Sequence, residues 1–182
     1  MFDQQLIEYC APTLASIKTA SLFSVNIEEM VQNSSFNIWE HELNKKGVSM
    51  TVLHTSHRRT QIYVYRREML ERDIRQERVA NFLKECGYEC QSVAGDINHL
   101  KQRMDNCKQF PHEIGLFLGY PIDDVIGFIE NGGKNSICCG YWKVYYNRQE
   151  AEKQFMSFNR CRNIYKHLFK KGKTISQLTV AV

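Results

Sequence analysis

The sequence predicts an α+β fold in which a small, mostly antiparallel sheet of three or four strands is covered by helices. Apolar residues recur at helical spacing along most of the chain. Between residues 49 and 65, and again near residue 140, this pattern changes to short runs of β-branched and aromatic residues. The elements therefore follow one another as helices, a hairpin, helices, a strand and a helix, without the strand–helix alternation of a doubly wound parallel sheet.

Size and composition predict one globular domain over residues 1–182, with 43% hydrophobic and 24% charged residues. No apolar stretch approaches the ~20 residues that span a bilayer, so we expect no membrane association. A net charge of +4 is small for a nucleic-acid-binding domain, so nucleic acid is not an expected partner. The chain starts without a signal-peptide pattern, and its 7 cysteines are typical of reduced thiols, which predicts a cytoplasmic protein.

The N-terminal part of the chain is predicted to be helical. Gln4–Phe23 carries apolar residues at helix-like intervals interrupted by Pro12, which predicts two short helices or one kinked helix. Asn26 is predicted to cap a further helix, because the two glutamates that follow would lie in its positively polarised first turn. Another helix is predicted to end at Gly47, where a glycine can adopt a positive φ.

A hairpin and two helices follow. Ser49–His54 and Gln61–Tyr65 predict its strands, and the second strand alternates aliphatic residues on one face with tyrosines on the other. The apolar stripe over Leu70–Cys86 predicts one long helix with Gly87 as its stop. A further helix is predicted over Val93–Cys107.

The C-terminal part has clear helix starts. Pro111 and Pro121 are predicted as first residues of two helices, where the missing N–H has no cost. Cys138–Tyr146 predicts a third strand. Asn147, with a glutamate three residues later, predicts the capped start of the last helix. Thr174–Val182 is predicted as a short terminal strand or an ordered tail.

A resemblance to a known family rests on four segments of the chain. They are Phe110–Pro121 (FPHEIGLFLGYP), Ala11–Ala20 (APTLASIKTA), Cys139–Tyr145 (CGYWKVY) and Gly172–Ala181 (GKTISQLTVA). With these segments the chain resembles an uncharacterised family of anaerobic Gram-positive bacteria, known as domain of unknown function 3793. The resemblance spans nearly the whole chain and implies a small stand-alone cytoplasmic protein, but no activity or site residues.

His112 and Glu113 are the candidate catalytic residues. If Pro111 opens a helix, the free N–H groups of its first turn form an anion site beside both residues. A histidine can donate or accept a proton near neutral pH, and a carboxylate can set its tautomer. Adjacent residues on a helix point about 100° apart, however, so His112 and Glu113 cannot easily pair with each other. The alternative is that both residues serve the helix itself, Glu113 by complementing its dipole and His112 as a surface residue.

The candidate ligand-binding residues are basic and aromatic. Lys18, Arg58, Arg59 and Lys143 could converge on a phosphate or carboxylate of a small anionic molecule. Trp142 and neighbouring tyrosines could stack on a flat group. The alternative is that the basic residues lie on solvated surfaces and that the aromatic residues pack beneath helices.

The cysteines do not have zinc-knuckle spacing, so no metal is predicted. Cys138, Cys139 and Cys161 are the remaining candidates for a thiolate site that binds iron or zinc or does redox chemistry. The alternative is that they are buried thiols, since free cysteine is among the most commonly buried residues.

Three classes of function therefore stay open. The first is a protein that binds a small molecule or a cofactor and could be an enzyme, with its pocket between Pro111–Glu113 and Cys139–Tyr145. It requires His112 and Lys143 to share a pocket. The second is a thiol- or metal-dependent protein, which requires at least three converging ligand atoms. The third is a protein-interaction module, which requires an exposed aromatic strand face.

Overall fold

A small antiparallel sheet runs through the fold, with helices packed on both of its faces. The computed structural model describes residues 2–26, 35–106 and 110–181. In chain order, the helices and strands of these ranges are α1 Phe2–Leu14, β1 Ala20–Asn26, α2 Ser35–Asn44, β2 Val48–Ser56, β3 Arg59–Arg66, α3 Arg67–Ile74, α4 Glu77–Glu85, α5 Val93–Asn106, α6 Ile114–Phe117, α7 Ile122–Glu130, β4 Cys138–Cys139, β5 Lys143–Val144, α8 Arg148–Lys170 and α9 Ile175–Leu178.

The sheet has the strand order β1-β3-β2, and both pairings are antiparallel. The predicted hairpin is β2–β3, and its turn contains His57 at a φ of 50°. A second sheet contains only β4 and β5. The predicted α+β class with a small antiparallel sheet is confirmed. No helix within the described ranges is both long and apolar enough to span a lipid bilayer.

The central strand β3 is buried on both faces. Tyr63 and Tyr65 face a core that includes residues of α3 to α7, which we call the tyrosine core. Ile62 and Val64 face a second core with α1, α2, α8 and α9, which we call the aliphatic core. The predicted alternation of this strand is confirmed. Two helical layers therefore cover the sheet, and the tyrosines are not a free docking face.

The first strand was missed by the sequence prediction. The helix predicted over Gln4–Phe23 ends at Leu14, and residues 20–26 form β1 instead. Asn26 is the last residue of that strand. The strand is paired along its whole length with β3, which is distant in sequence, so local periodicity did not indicate it. The helix predicted after Asn26 falls on residues 27–34, outside the described ranges.

The predicted long helix is wrong, because it is two helices, α3 and α4, separated at residues 75 and 76. In one continuous helix Ile74 and Val79 would point about 140° apart. The break allows both side chains to enter the tyrosine core. Gly87 follows α4 at a φ of 92°, which confirms the predicted stop. The helix predicted to start at Val93 is also confirmed, as α5.

Both proline predictions need correction. Pro111 lies before a tight turn in which the amide of Ile114 donates to its carbonyl at 3.1 Å, and α6 begins only at Ile114. Pro121 is the N-cap of α7 and not its first residue. In both cases the fixed φ of proline suits a turn just before a helix as well as the first helical position.

The C-terminal predictions are confirmed in part. Cys138–Tyr146 is not one strand of the main sheet but the short β4–β5 hairpin and its flanks. Asn147 caps α8 by accepting the amide N–H of Glu150 at 3.2 Å, as predicted. The tail forms α9 and not a strand, because Thr174 and Gln177 make a reciprocal capping box.

Arg66 joins three distant parts of the fold at the end of β3. Its side chain is only 1% exposed. Nε donates to the carbonyl of Thr13 at 2.8 Å, and Nη2 donates to the carbonyls of Leu14 at 2.5 Å and Val180 at 2.8 Å. A cation is favourable there, because the carbonyls at the C-terminus of α1 carry partial negative charge.

We expect Arg66→Met to lower the free energy of unfolding by about 3 kcal/mol, because it leaves three partly or fully buried carbonyls without their charged donor. The matched control is Arg67→Met, next in the chain but exposed, with an expected change below about 0.5 kcal/mol. Urea unfolding followed by circular dichroism measures both variants. Equal stability of the two variants would contradict the role given to Arg66.

Candidate functional site

A cavity of ≈ 350 Å³ lies between the α6–α7 region and the β4–β5 hairpin. Its walls are mostly apolar and aromatic, with a few polar side chains among them. The lining residues are Leu22, Phe110, His112, Ile114, Gly115, Leu118, Tyr120, Asp124, Val125, Phe128, Cys139, Gly140, Tyr141, Trp142 and Lys143. We call this space the aromatic cavity.

Asp124 of α7 holds the β4–β5 hairpin by hydrogen bonds. Its buried carboxylate accepts Trp142 Nε1–H at 2.7 Å and the amide N–H groups of Tyr145 and Tyr146 at 2.7 and 3.0 Å. Three donors satisfy a charge that would otherwise be costly to bury. The donors come from a hairpin about 20 residues away in the chain, which no local pattern indicates.

Two glycines let the hairpin lie between α7 and α8. A Cβ on Gly127 of α7 would come within 2.6 Å of the Cβ of Tyr145. A Cβ on Gly140, at the tip of the hairpin, would come within 2.3 Å of the ring of Phe155 on α8. Both distances are shorter than any tolerated carbon contact, so glycine is required for this close approach.

Aromatic rings form two walls of the aromatic cavity. On one side, the rings of Tyr120 and Trp142 stack with their centroids 5.0 Å apart, and Phe155 supports Trp142 edge-on at 4.5 Å. On the other side, the rings of His112 and Phe128 meet edge-on at 5.0 Å. Such walls suit a flat ligand, because ring faces gain from stacking.

Three of the predicted site residues, His112, Trp142 and Lys143, line the aromatic cavity together. Lys143 Nζ donates to the carbonyl of Gly133 at 2.6 Å and lies 5.9 Å from the ring centroid of Phe128. The same Phe128 ring contacts His112, so the imidazole and the ammonium group lie on one wall. The pocket required by the first functional hypothesis is therefore present.

Glu113 does not join His112 in this cavity. Its buried carboxylate accepts Arg103 Nε–H at 2.5 Å and the hydroxyl of Tyr88 at 3.1 Å. Burial, followed by the charge of Glu113, raises the pKa of Tyr88, so that hydroxyl stays a donor. Glu113 thus fixes the turn before α6 against α5, while His112, its exposed neighbour, points to the cavity.

Lys18 lines a separate cavity of ≈ 260 Å³, which we call the lysine cavity. The two cavities share Leu22, Tyr120 and Tyr141 as walls. Lys18 Nζ donates to the carbonyl oxygens of Ala20 and, at 3.2 Å, Leu118. Burial lowers the pKa of Lys18 to about 8.

The remaining predicted residues do not converge. Arg58 and Arg59 lie at the β2–β3 turn, six residues or about 20 Å along β3 from Tyr65, which pairs with Ala20 beside Lys18. Among the described residues, no group of three His, Cys, Asp or Glu side chains could hold a metal ion. Of the three candidate cysteines, only Cys139 lines the aromatic cavity, and Cys138 and Cys161 are half-buried.

A family model matches most of the chain, including the residues that line both cavities. The model of the family described as "Protein of unknown function (DUF3793)" matches residues 6–179. The chain belongs to this family. No curated protein and no solved structure matches it. The predicted resemblance is confirmed for the family, whereas the occurrence in anaerobic Gram-positive bacteria stays a prediction.

We expect Asp124→Asn to loosen the hairpin, because an amide cannot accept all three donors that the carboxylate accepts. The chain has 2 tryptophans, so a Trp39→Phe background makes Trp142 the only fluorescent tryptophan. Its emission should shift to longer wavelength, and the free energy of unfolding should fall by about 2 kcal/mol. Asp123→Asn is the control, since it removes only an exposed ion pair with Arg78. An unchanged Trp142 spectrum in Asp124→Asn would contradict the role given to Asp124 in holding the hairpin.

Stability should depend on pH through Lys18, whose pKa falls from 10.5 to about 8 on folding. Below pH 8 Lys18 is protonated in both the folded and the unfolded state, so the folded state carries the full free-energy cost of burying the charge. Between pH 8 and pH 10.5 Lys18 is deprotonated in the folded state but still protonated in the unfolded state. The free energy of unfolding, compared with that of Lys18→Met, therefore rises with pH by about 3 kcal/mol. Burial raises the pKa of Cys10 and raises that of Tyr120 to about 12, so both neighbours keep their protons in this range.

Urea unfolding of the wild type and Lys18→Met, at pH values on both sides of this range, measures the difference. Groups common to both proteins cancel in the comparison. A difference that does not change with pH would show that Lys18 has an ordinary pKa in the folded protein.

Proposed function

We propose that the protein binds a small, flat molecule in the aromatic cavity, with an anionic group of that molecule at Lys143. The observation that carries the proposal is that His112, Trp142 and Lys143 line one cavity with aromatic walls. A volume of ≈ 350 Å³ is in the range of small-molecule sites. A few polar groups among apolar walls are also typical of such sites, since they orient a ligand that the walls desolvate.

The charges at the aromatic cavity favour an anion. Asp124 is the carboxylate among its lining residues, and its oxygens already accept three hydrogen bonds. Within the described ranges Lys143 makes one hydrogen bond, to the carbonyl of Gly133, and an ammonium group has two further N–H donors. A carboxylate, sulfonate or phosphate on the ligand would accept them.

His112 is the residue through which the protein would act as an enzyme. Its ring is exposed and held at the wall by Phe128. A histidine side chain on a cavity wall can act as a general acid or base toward a bound ligand. Glu113 would contribute only indirectly, by fixing the backbone turn that carries His112.

A second candidate function is thiol chemistry at the same cavity. Cys139 is exposed and lines the aromatic cavity beside Lys143. The six cysteines within the described ranges are all free, which supports the proposed cytoplasmic location. A covalent adduct on Cys139 after purification would favour this function over non-covalent binding.

Native mass spectrometry of protein purified without oxygen, compared with the denatured mass, tests both functions. Extra mass that disappears on denaturation indicates a bound ligand, and its value limits the identity. Extra mass that persists and maps to Cys139 indicates the thiol function.

The anion site is tested with 8-anilinonaphthalene-1-sulfonate, a flat apolar probe that carries one sulfonate. In the Trp39→Phe background, binding should transfer excitation energy from Trp142 to the probe. We expect Lys143→Met to weaken binding about fivefold, the effect of losing one charged contact of about 1 kcal/mol. Lys153→Met removes an exposed lysine of α8 and should leave the affinity unchanged. Equal affinities in the two variants would contradict an anion contact at Lys143.

A further inference from the structure

Lys18 differs from the buried carboxylates Asp96 and Glu113, which pair with Arg75 and Arg103. Lys18 is 7% exposed and takes part in no ion pair within the described ranges. Its ammonium group has main-chain carbonyls and the ring of Tyr120, 5.3 Å from Nζ, as neighbours. A buried cation in such surroundings is destabilised relative to the neutral amine.

The surroundings of Lys18 suit the neutral amine. A neutral amine has two N–H bonds, and the two carbonyl acceptors at Ala20 and Leu118 match them. Its lone pair is then not engaged by either acceptor. Burial also lowers the pKa of Lys18 to about 8, so a substantial fraction of the amine is neutral in mildly alkaline solution. A desolvated neutral lysine is a nucleophile toward carbonyl groups.

Arg162 lines the same cavity and has an unused donor. Its Nη2 donates to Asn159 Oδ1 at 3.0 Å, but its buried Nε finds no hydrogen-bond partner in the part of the chain that the structure describes. Glu8, the carboxylate that also lines the cavity, forms an ion pair with Lys166. Arg162 is the arginine among the lining residues, and the fixed fork of N–H donors of a guanidinium group is suited to a carboxylate of a ligand.

We propose that the lysine cavity binds a small 2-oxo acid, with its carboxylate at Arg162 and its keto carbon bonded to Lys18 Nζ as a Schiff base. Lys18 and Arg162 both line this cavity, whose volume of ≈ 260 Å³ exceeds that of a compound with six heavy atoms. Tyr9, Tyr120 and Tyr141 form aromatic walls of the same cavity. The proposal goes beyond the binding function of the aromatic cavity and does not depend on it.

The reaction is a condensation that needs no further reagent. The lone pair of Nζ forms a bond to the keto carbon, and the C=O π electrons move to oxygen. A proton passes from nitrogen to that oxygen, which gives a carbinolamine. Loss of the hydroxyl group with one more proton, as water, leaves a C=N bond between Lys18 and the acid. Protonation of this nitrogen gives an iminium ion, which draws electrons from the adjacent carbon atoms.

The test uses pyruvate as the probe and cyanoborohydride as the trap. Cyanoborohydride transfers hydride to the iminium carbon and leaves a stable carboxyethyl group on the lysine. We expect peptide mapping by mass spectrometry to find this group on Lys18, with a yield that saturates as pyruvate increases. Exposed lysines such as Lys153 should react without saturation and at least tenfold less at low pyruvate.

Two variants separate the roles of the residues. Lys18→Arg should abolish the saturable adduct. Arg162→Gln should raise the pyruvate concentration needed for half-maximal labelling about tenfold, whereas Arg160→Gln, an exposed control on the same helix, should not change it. Acetaldehyde, which has a carbonyl but no carboxylate, should label Lys18 equally in the wild type and in Arg162→Gln.

Labelling spread over the exposed lysines, or none on Lys18 in the folded wild type, would overturn the proposal. Equal pyruvate dependence in Arg162→Gln and Arg160→Gln would overturn the carboxylate site. Urea unfolding of Lys18→Arg, followed by circular dichroism, shows that this variant is folded. Since this control does not use the aromatic cavity, either proposal can fail while the other stands.

Discussion

The constraint on which the fold depends is that β3 is the central strand and is buried on both faces. Its backbone groups pair with β1 on one side and β2 on the other. Its tyrosines and its aliphatic residues need two separate apolar layers, and helices from both halves of the chain supply them. At the end of the strand, Arg66 ties the last turn of α1 and the C-terminal segment to it. Distant segments are thus held at fixed positions around one strand.

The two cavities lie beside the small β4–β5 hairpin, which is not part of the main sheet. The hairpin has only two residues in each strand, too few to be stable alone. It is held by the carboxylate of Asp124 and by close contacts that Gly127 and Gly140 permit. The hairpin in turn carries Trp142 and Lys143 to the aromatic cavity. A rigid support of this kind keeps binding groups at constant separation, which a free loop does not do.

Parts of the candidate site were predictable from the sequence, and parts were not. His112, Trp142 and Lys143 were predicted to meet, because a helix start and a strand carried polar and aromatic residues together. Glu113 was grouped with His112 only by adjacency, and the structure separates them, since neighbouring side chains in a helical turn point about 100° apart. Asp124 and Phe128 were missed as cavity residues, because their roles depend on partners distant in sequence. Arg58 and Arg59 were grouped with Lys18 by charge alone, which contains no information on distance.

The sequence by itself determined the elements whose signals are local. These include the β2–β3 hairpin, the alternation of β3, the caps at Asn147 and Gly87, and membership in the DUF3793 family. Only the tertiary structure decided that residues 20–26 form a strand, that Lys18 is buried and lines a cavity together with Arg162, and that Asp124 holds the hairpin. The physical reason is that strand pairing, burial of charge and cavity walls are made by residues far apart in the chain. Periodicity and capping report only on neighbours within a few residues.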